Sequence, residues 1–205
     1  GTENIDIVMN ELDAMVNIDL DKKEFKKEHT ALQLFRLGTC GSVNPDVEVD
    51  NMLVSENVVG LDGLLHFYID YDFENEFSKN FLEKFPYEKI KPLLYFSEWT
   101  ASQYEYFKDA KYVGNTATFP GFYAPQGRQL RLKSTDDQFL EVLNDLGVTN
   151  FEMETSAIYG LSKLLGHKAI TINNVIANRR RGEFAADHHQ SEKMMIEWVL
   201  ERVIK

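Results

Sequence analysis

Short apolar runs in this chain of 205 residues repeatedly end at glycine or at polar turn residues, and segments of helical spacing lie between them. That alternation restricts the fold most, because strands joined through helices pair in a sheet that is covered on its faces. Leu32 to Leu37 runs into glycines, Met52 to Val59 follows a turn at Asn44-Pro45-Asp46, and Pro92 to Phe96 and Ala169 to Ala177 read as further strands. Tyr112, Gly114, Thr116 and Thr118 alternate as strand residues do. Helical spacing links Ile5, Val8, Leu12, Met15 and Val16, and again Phe73, Phe77, Phe81 and Phe85. Thr135 with Gln138 forms a capping box for a helix that stops at Gly147. Another helix runs from about Thr155 to Gly166, and a last one, Ser191 to Val203, turns Met194, Met195, Trp198 and Val199 inward. The pattern predicts one α/β domain with a mainly parallel or mixed central sheet and helices on both faces. Ligands of such sheets bind at the carboxyl ends of strands.

Three segments at those ends carry chemistry. FYAPQGR, Phe122 to Arg128, sets an aromatic ring, a carboxamide and a guanidinium within seven residues. Phe122 can stack on a planar base, Gln126 offers a donor beside an acceptor, and Arg128 donates to a carbonyl. In FEMETSAIYG, Glu152 and Glu154 flank Met153 where a strand hands over to a helix. In RLGTCGSV, Arg36 and Thr39 adjoin the end of an apolar run. Glu154 at a helix start can simply oppose the helix dipole, or its two oxygens can accept two vicinal hydroxyls. Arg36 needs either an internal acid or an anion, because a buried arginine is costly unpaired.

Composition narrows the partners. With 33 acids against 22 bases the formal charge is −11, which argues against nucleic-acid binding. Arg179-Arg180-Arg181 then reads as a solvated turn rather than a basic patch. No apolar run approaches a membrane span, and no secretory signature opens the chain. The single cysteine, Cys40, excludes an internal disulfide and fits a reducing, cytoplasmic setting. It reads as a small buried side chain, since no base lies near it in sequence. His66 reads as a structural or interface residue. His188 and His189, adjacent in sequence, suggest no metal site.

Together the three segments resemble the nucleoside phosphorylase superfamily, and Gln126 with Arg128 resembles its uridine phosphorylase branch. The resemblance spans the whole chain, with Gly1-Thr2 matching the end of a central strand. It implies a further N-terminal third, bearing a Gly-rich phosphate loop and another arginine, that lies outside this sequence. By resemblance, Arg36 and Thr39 hold phosphate, Thr39, Met153 and Glu154 hold the ribose, and Phe122, Gln126, Arg128, Glu152 and Arg179 form the base pocket. Arg36, Thr39 and Glu154 are the implied catalytic residues. Where the purine branch commonly has an aspartate, this chain has Asn178 and Arg179, which favours a pyrimidine. The implied reaction is phosphorolysis of uridine to uracil and ribose 1-phosphate in pyrimidine salvage. Phosphate is a co-substrate, and no other cofactor is implied beyond a monovalent cation at a subunit interface. A homo-oligomer, dimer or trimer of dimers, is implied as well. A hydrolytic nucleosidase and a non-catalytic nucleoside-binding remnant stand as alternatives.

Overall fold

The computed structural model describes residues 1–134 and 138–204. Its elements follow in the order α1 (Thr2–Asn17), β1 (Ile18–Asp19), β2 (Glu24–Phe25), β3 (Gln33–Ser42), β4 (Met52–Gly60), α2 (Glu76–Lys84), β5 (Tyr95–Glu98), α3 (Ala101–Tyr104), β6 (Tyr112–Thr118), α4 (Phe139–Asp145), β7 (Val148–Glu152), α5 (Thr155–Leu165), β8 (Lys168–Asn178), β9 (Glu183–Phe184) and α6 (His188–Val203). β1 and β2 make a small ribbon, and the other strands form one sheet in the order β5-β4-β6-β7-β3-β8-β9. β8 also pairs with β4, so β4, β6, β7, β3 and β8 close into a ring. The sheet is mixed: β3–β8, β4–β6 and β6–β7 run parallel, whereas β3–β7, β4–β5, β4–β8 and β8–β9 run antiparallel.

Side-chain alternation along β8 explains why both faces carry helices. Ile170 and Ile172 pack with Met195 and Val199 of α6, while Ala169, of opposite parity, packs with Ile158 and Tyr159 of α5. A second cluster gathers Phe81, Phe85, Phe96, Phe119, Phe139 and Phe151. There Phe81 meets Phe96 edge-on with ring centroids 5.6 Å apart, a favoured aromatic arrangement. Gly147 (φ +89°) and Gly166 (φ +72°) take the left-handed conformation at the ends of α4 and α5, as their sequence positions predict.

Several boundaries differ from the sequence expectation. β3 does not stop at Gly38 but continues through Gly41 to Ser42, so Arg36 and Thr39 lie within the strand rather than after it. The glycines persist there because the Arg36 guanidinium and the Phe151 ring occupy the space that a Cβ at 38 or 41 would fill. α2 begins only at Glu76, where Asn75 and Ser78 cap each other reciprocally, leaving Phe73 ahead of the helix and Phe85 at its C-cap. Pro92 sits in a single 3₁₀ turn, Lys91–Leu93, and the strand starts at Tyr95. α6 starts a turn early, at His188, because the Asp187 side chain caps it. Its Met194 faces solvent. On α1 the buried apolar residue is Met9, while Val8 and Met15 are exposed. Of the expected capping box, Thr135 lies outside the described residues.

Candidate active site

The ring's end toward the β6–α4 connection opens into a cavity of about 420 Å³. Arg36, Thr39, Phe122, Gln126, Arg128, Glu152, Met153 and Glu154 all line it. Three separate stretches of sequence therefore converge on one space. Arg179 does not line it, but its charge is near enough to help depress the pKa of Arg128, after the larger effect of burial. Ile176, Ala177 and Phe184 also line the cavity and were missed in the sequence. Gly182 (φ +63°) was the available signal for Phe184, since it marks the turn that brings β9 back against β8.

The centre is an arginine held between two glutamates. Arg36 Nη2 lies 2.6 Å from Glu154 Oε2 and 3.1 Å from Glu152 Oε2. Its Nη1 donates to Asn173 Oδ1 at 2.7 Å. Burial opposes the charge on Arg36, yet Glu152 and Glu154 outweigh it and raise its pKa. For Glu154, burial favours the neutral acid and Arg36 the carboxylate, and its pKa lies below the usual carboxylate value; the Gly1 nitrogen is 2.8 Å from Oε1. Gly1 and Glu154 are the N-cap positions of α1 and α5, so two helix N-termini favour negative charge at this point.

The two glutamates divide the work. Glu152 Oε2 accepts from the backbone N–H groups of Glu154 and Thr155 at 2.8 and 2.9 Å, and Oε1 accepts from Thr118 Oγ1 at 2.7 Å. It thereby satisfies the first turn of α5. Glu154 makes no side-chain cap bond to that helix, and its carboxylate is directed into the cavity. Glu152→Ala is accordingly expected to destabilise the fold by about 1–2 kcal/mol, the range for a lost N-terminal cap. Urea unfolding checks this, and an unchanged midpoint would remove Glu152 from that role.

At the rim, the chain turns through Ala124–Gln126 and Gly127 (φ +69°), which returns Arg128 onto Phe122. The Arg128 guanidinium carbon lies 3.8 Å from the Phe122 ring centroid, and Nη1 donates to Phe122 O at 2.9 Å. Nη1 also donates to Gln126 Oε1. Because arginine offers only donors, this contact fixes which way the buried Gln126 amide points. One face of Phe122 is thus covered by Arg128. Cys40 is buried and its thiol is pushed up to about 12 by desolvation, which leaves it protonated and without nucleophilic character at neutral pH.

Among the described residues, two groups could hold a metal ion by proximity: Asp13, His29 and His167, and His188, His189 and Glu192. In the first, Leu32 N–H donates to His167 Nδ1 at 3.2 Å. A neutral His167 then carries its proton on Nε2, facing Asp13 at 3.3 Å, so the lone pair a metal needs is already engaged. In the second, the adjacent rings lie 4.2 Å apart rather than diverging, on the exposed start of α6. His66 Nε2 donates to Leu94 O, 3.0 Å away, a structural contact. Asn178 Oδ1 accepts from the N–H groups of Arg180 and Arg181, shaping the turn that holds the arginines.

Comparison with known proteins follows the same lines. The profile of the Phosphorylase superfamily matches residues 1–205. The chain belongs to this superfamily. This phosphorylase-superfamily chain is 28% identical over 156 residues to a uridine phosphorylase of Haemophilus influenzae, covering 72% of this chain and 54% of that protein. It is 26% identical over 184 residues to a DeoD-type purine nucleoside phosphorylase of Shewanella loihica, covering 88% and 67%. It thus spans about half the length of the first of these relatives and two thirds of the second. Among solved structures, a Trypanosoma brucei nucleoside phosphorylase that shows uridine phosphorylase activity superimposes with a TM-score of 0.86 at 26% identity, covering 100% of this chain and 77% of that one. Isoform 2 of Schistosoma mansoni uridine phosphorylase shares the fold, with a TM-score of 0.63 at 21% identity and coverage of 96% and 66%. No helix among the described residues is long and apolar enough to cross a membrane.

Proposed function

We propose that this cavity takes part in the phosphorolysis of a pyrimidine nucleoside, converting uridine and phosphate to uracil and ribose 1-phosphate. The observation that carries the reading is the division between the glutamates: Glu152 serves the helix, whereas Glu154 makes no cap bond and places its carboxylate in the cavity beside Arg36. An ionised Glu154 accepts the ribose 2′- and 3′-hydroxyls and stabilises positive charge developing on the sugar. A phosphate oxygen attacks C1′ as the bond to N1 breaks, and the bond's electron pair leaves with the uracil. Arg36 and Thr39 hold the phosphate, with Arg36 exchanging a carboxylate contact for a phosphate oxygen. Met153 packs against the ribose. Gln126 and Arg128 meet the uracil edge and its growing negative charge, Phe122 supplies an apolar surface beside the ring, and Arg179 adds positive potential. Orientation and electrostatics carry the rate without a covalent enzyme intermediate. Relatives that assemble through shared sites, implied by the resemblance, support a homo-oligomer.

Base selectivity tests the rim. Uridine is expected to exceed cytidine and inosine by at least about tenfold in kcat/KM, because cytosine lacks the N3 proton and the 4-carbonyl and leaves buried polar groups unpaired at about 1–3 kcal/mol each. Equal cleavage of cytidine would remove Gln126 and Arg128 from base recognition. A second reading, hydrolysis, draws on the engagement of Arg36 by Glu152, Glu154 and Asn173, which an incoming anion must disturb. Assays with and without phosphate, on the full-length protein, separate the two. Uracil release that ignores phosphate would establish hydrolysis.

A further inference from the structure

We propose that Asn173 is a positioning residue for Arg36, and that a buried hydroxyl chain through Ser55 and Thr116 sets the direction in which its amide points. The inference rests on the reading of Arg36 as the phosphate-holding arginine. Asn173, Ser55, Thr116 and Asn150 are all completely buried inside the strand ring, on β8, β4, β6 and β7. Asn173 Nδ2 lies 3.0 Å from Ser55 Oγ, Ser55 Oγ lies 2.6 Å from Thr116 Oγ1, and Thr116 Oγ1 lies 2.8 Å from Asn150 Oδ1. Four side chains distant in sequence thus form one continuous path that ends on the active-site guanidinium.

The path has a direction. A guanidinium has only donors, so Asn173 must present Oδ1 to Arg36, which turns Nδ2 toward Ser55. Ser55 Oγ accepts there and also accepts from Thr116 Oγ1. Thr116, with one hydrogen to give, shares it between Ser55 Oγ and Asn150 Oδ1, where the path ends. With Ser55 Oγ presented as an acceptor, the Asn173 amide is satisfied only when Nδ2 faces it, and buried groups left unsatisfied are costly. Gly38 completes the arrangement: Asn173 pairs with it across β3–β8, and a Cβ there would lie 2.6 Å from Arg36 Nη1. The guanidinium can therefore lie flat along β3 and reach Asn173.

Thr116 touches no proposed substrate, which makes it the position to test. Thr116→Val keeps the shape and removes the hydroxyl, so Ser55 loses its donor, its own hydrogen is free to turn toward Asn173, and the amide loses its fixed orientation. In the full-length protein this variant is expected to raise KM for phosphate about tenfold while leaving KM for uridine within twofold. Thr116→Ser, which retains the hydroxyl, is expected to behave as wild type. Equal defects in the two variants would mean simple packing and overturn the proposal, as would a Thr116→Val enzyme with an unchanged phosphate KM. A crystal structure of Thr116→Val provides a check independent of activity: Arg36 Nη1 is expected to leave Asn173, and an unmoved pair overturns the positioning role. If the wild-type protein shows no phosphate-dependent cleavage, the proposed function falls, and that crystal structure still decides the hydroxyl chain.

Discussion

Glu154→Gln is expected to lower turnover by about 10²–10³-fold, the loss seen when one stabilising group of a preorganised site is removed. The substitution keeps the shape of the side chain and removes its charge. Folding is expected to change little, because Arg36 retains Glu152 at 3.1 Å and because α5 is capped by Glu152. A glutamate that merely opposed the helix dipole would give the reverse result, about 0.3–1 kcal/mol of lost stability with near-normal turnover. Steady-state kinetics and a melting curve on this variant distinguish the two. Normal turnover with a lowered melting point would end the case for Glu154 as the ribose ligand.

Arg36→Met is expected to have the largest effect on stability, about 3–5 kcal/mol, since it removes the cation from a buried cluster and leaves the carboxylates uncompensated. The loss depends on pH, and its sign follows from Glu154. In the wild-type fold its pKa is depressed, so its ionised form contributes stability above the unfolded value of about 4.3, and this is lost as pH falls through the folded value. Without Arg36, the Glu154 pKa rises from that depressed value. The deficit of the variant is therefore greatest near neutral pH and narrows as pH falls toward the range where the carboxyl is protonated. Urea unfolding of both proteins from pH 3 to 7 measures it, and a loss that stays constant across that range would contradict this account of the cluster.

Much of the fold was legible because its signals are local. Gly147 and Gly166 end helices through their own backbone freedom, and the alternation from Tyr112 to Thr118 is visible within seven residues. The arginine inside LQLFRLG announced that it needed a partner, and the acids of the FEMET segment supply it. What escaped notice depends on distant pairings. Gly38 and Gly41 look like strand ends until the guanidinium and the Phe151 ring that lie over them are known. Nothing in the separate stretches around Ser55, Thr116, Asn150 and Asn173 says that they meet, because strand pairing across the ring brings them together. Likewise, the two glutamates are two residues apart and chemically alike. Their different tasks emerge only from the hydrogen bonds of each.

The ring of strands also bears on how the chain reaches its native state. β3 and β8, Gln33–Ser42 and Lys168–Asn178, form its longest pairing, and between them lie more than half of the residues. Loops of that length close slowly, and contacts so remote in sequence delay the transition to the native state. During synthesis from the ribosome, β3 and β4 emerge long before the strand that joins them. Until Asn178 is made, both carry backbone edges open to pairing with other chains. The architecture that surrounds the site arginine thus leaves the nascent protein with open strand edges until β8 is made, an interval in which a chaperone has the most to protect.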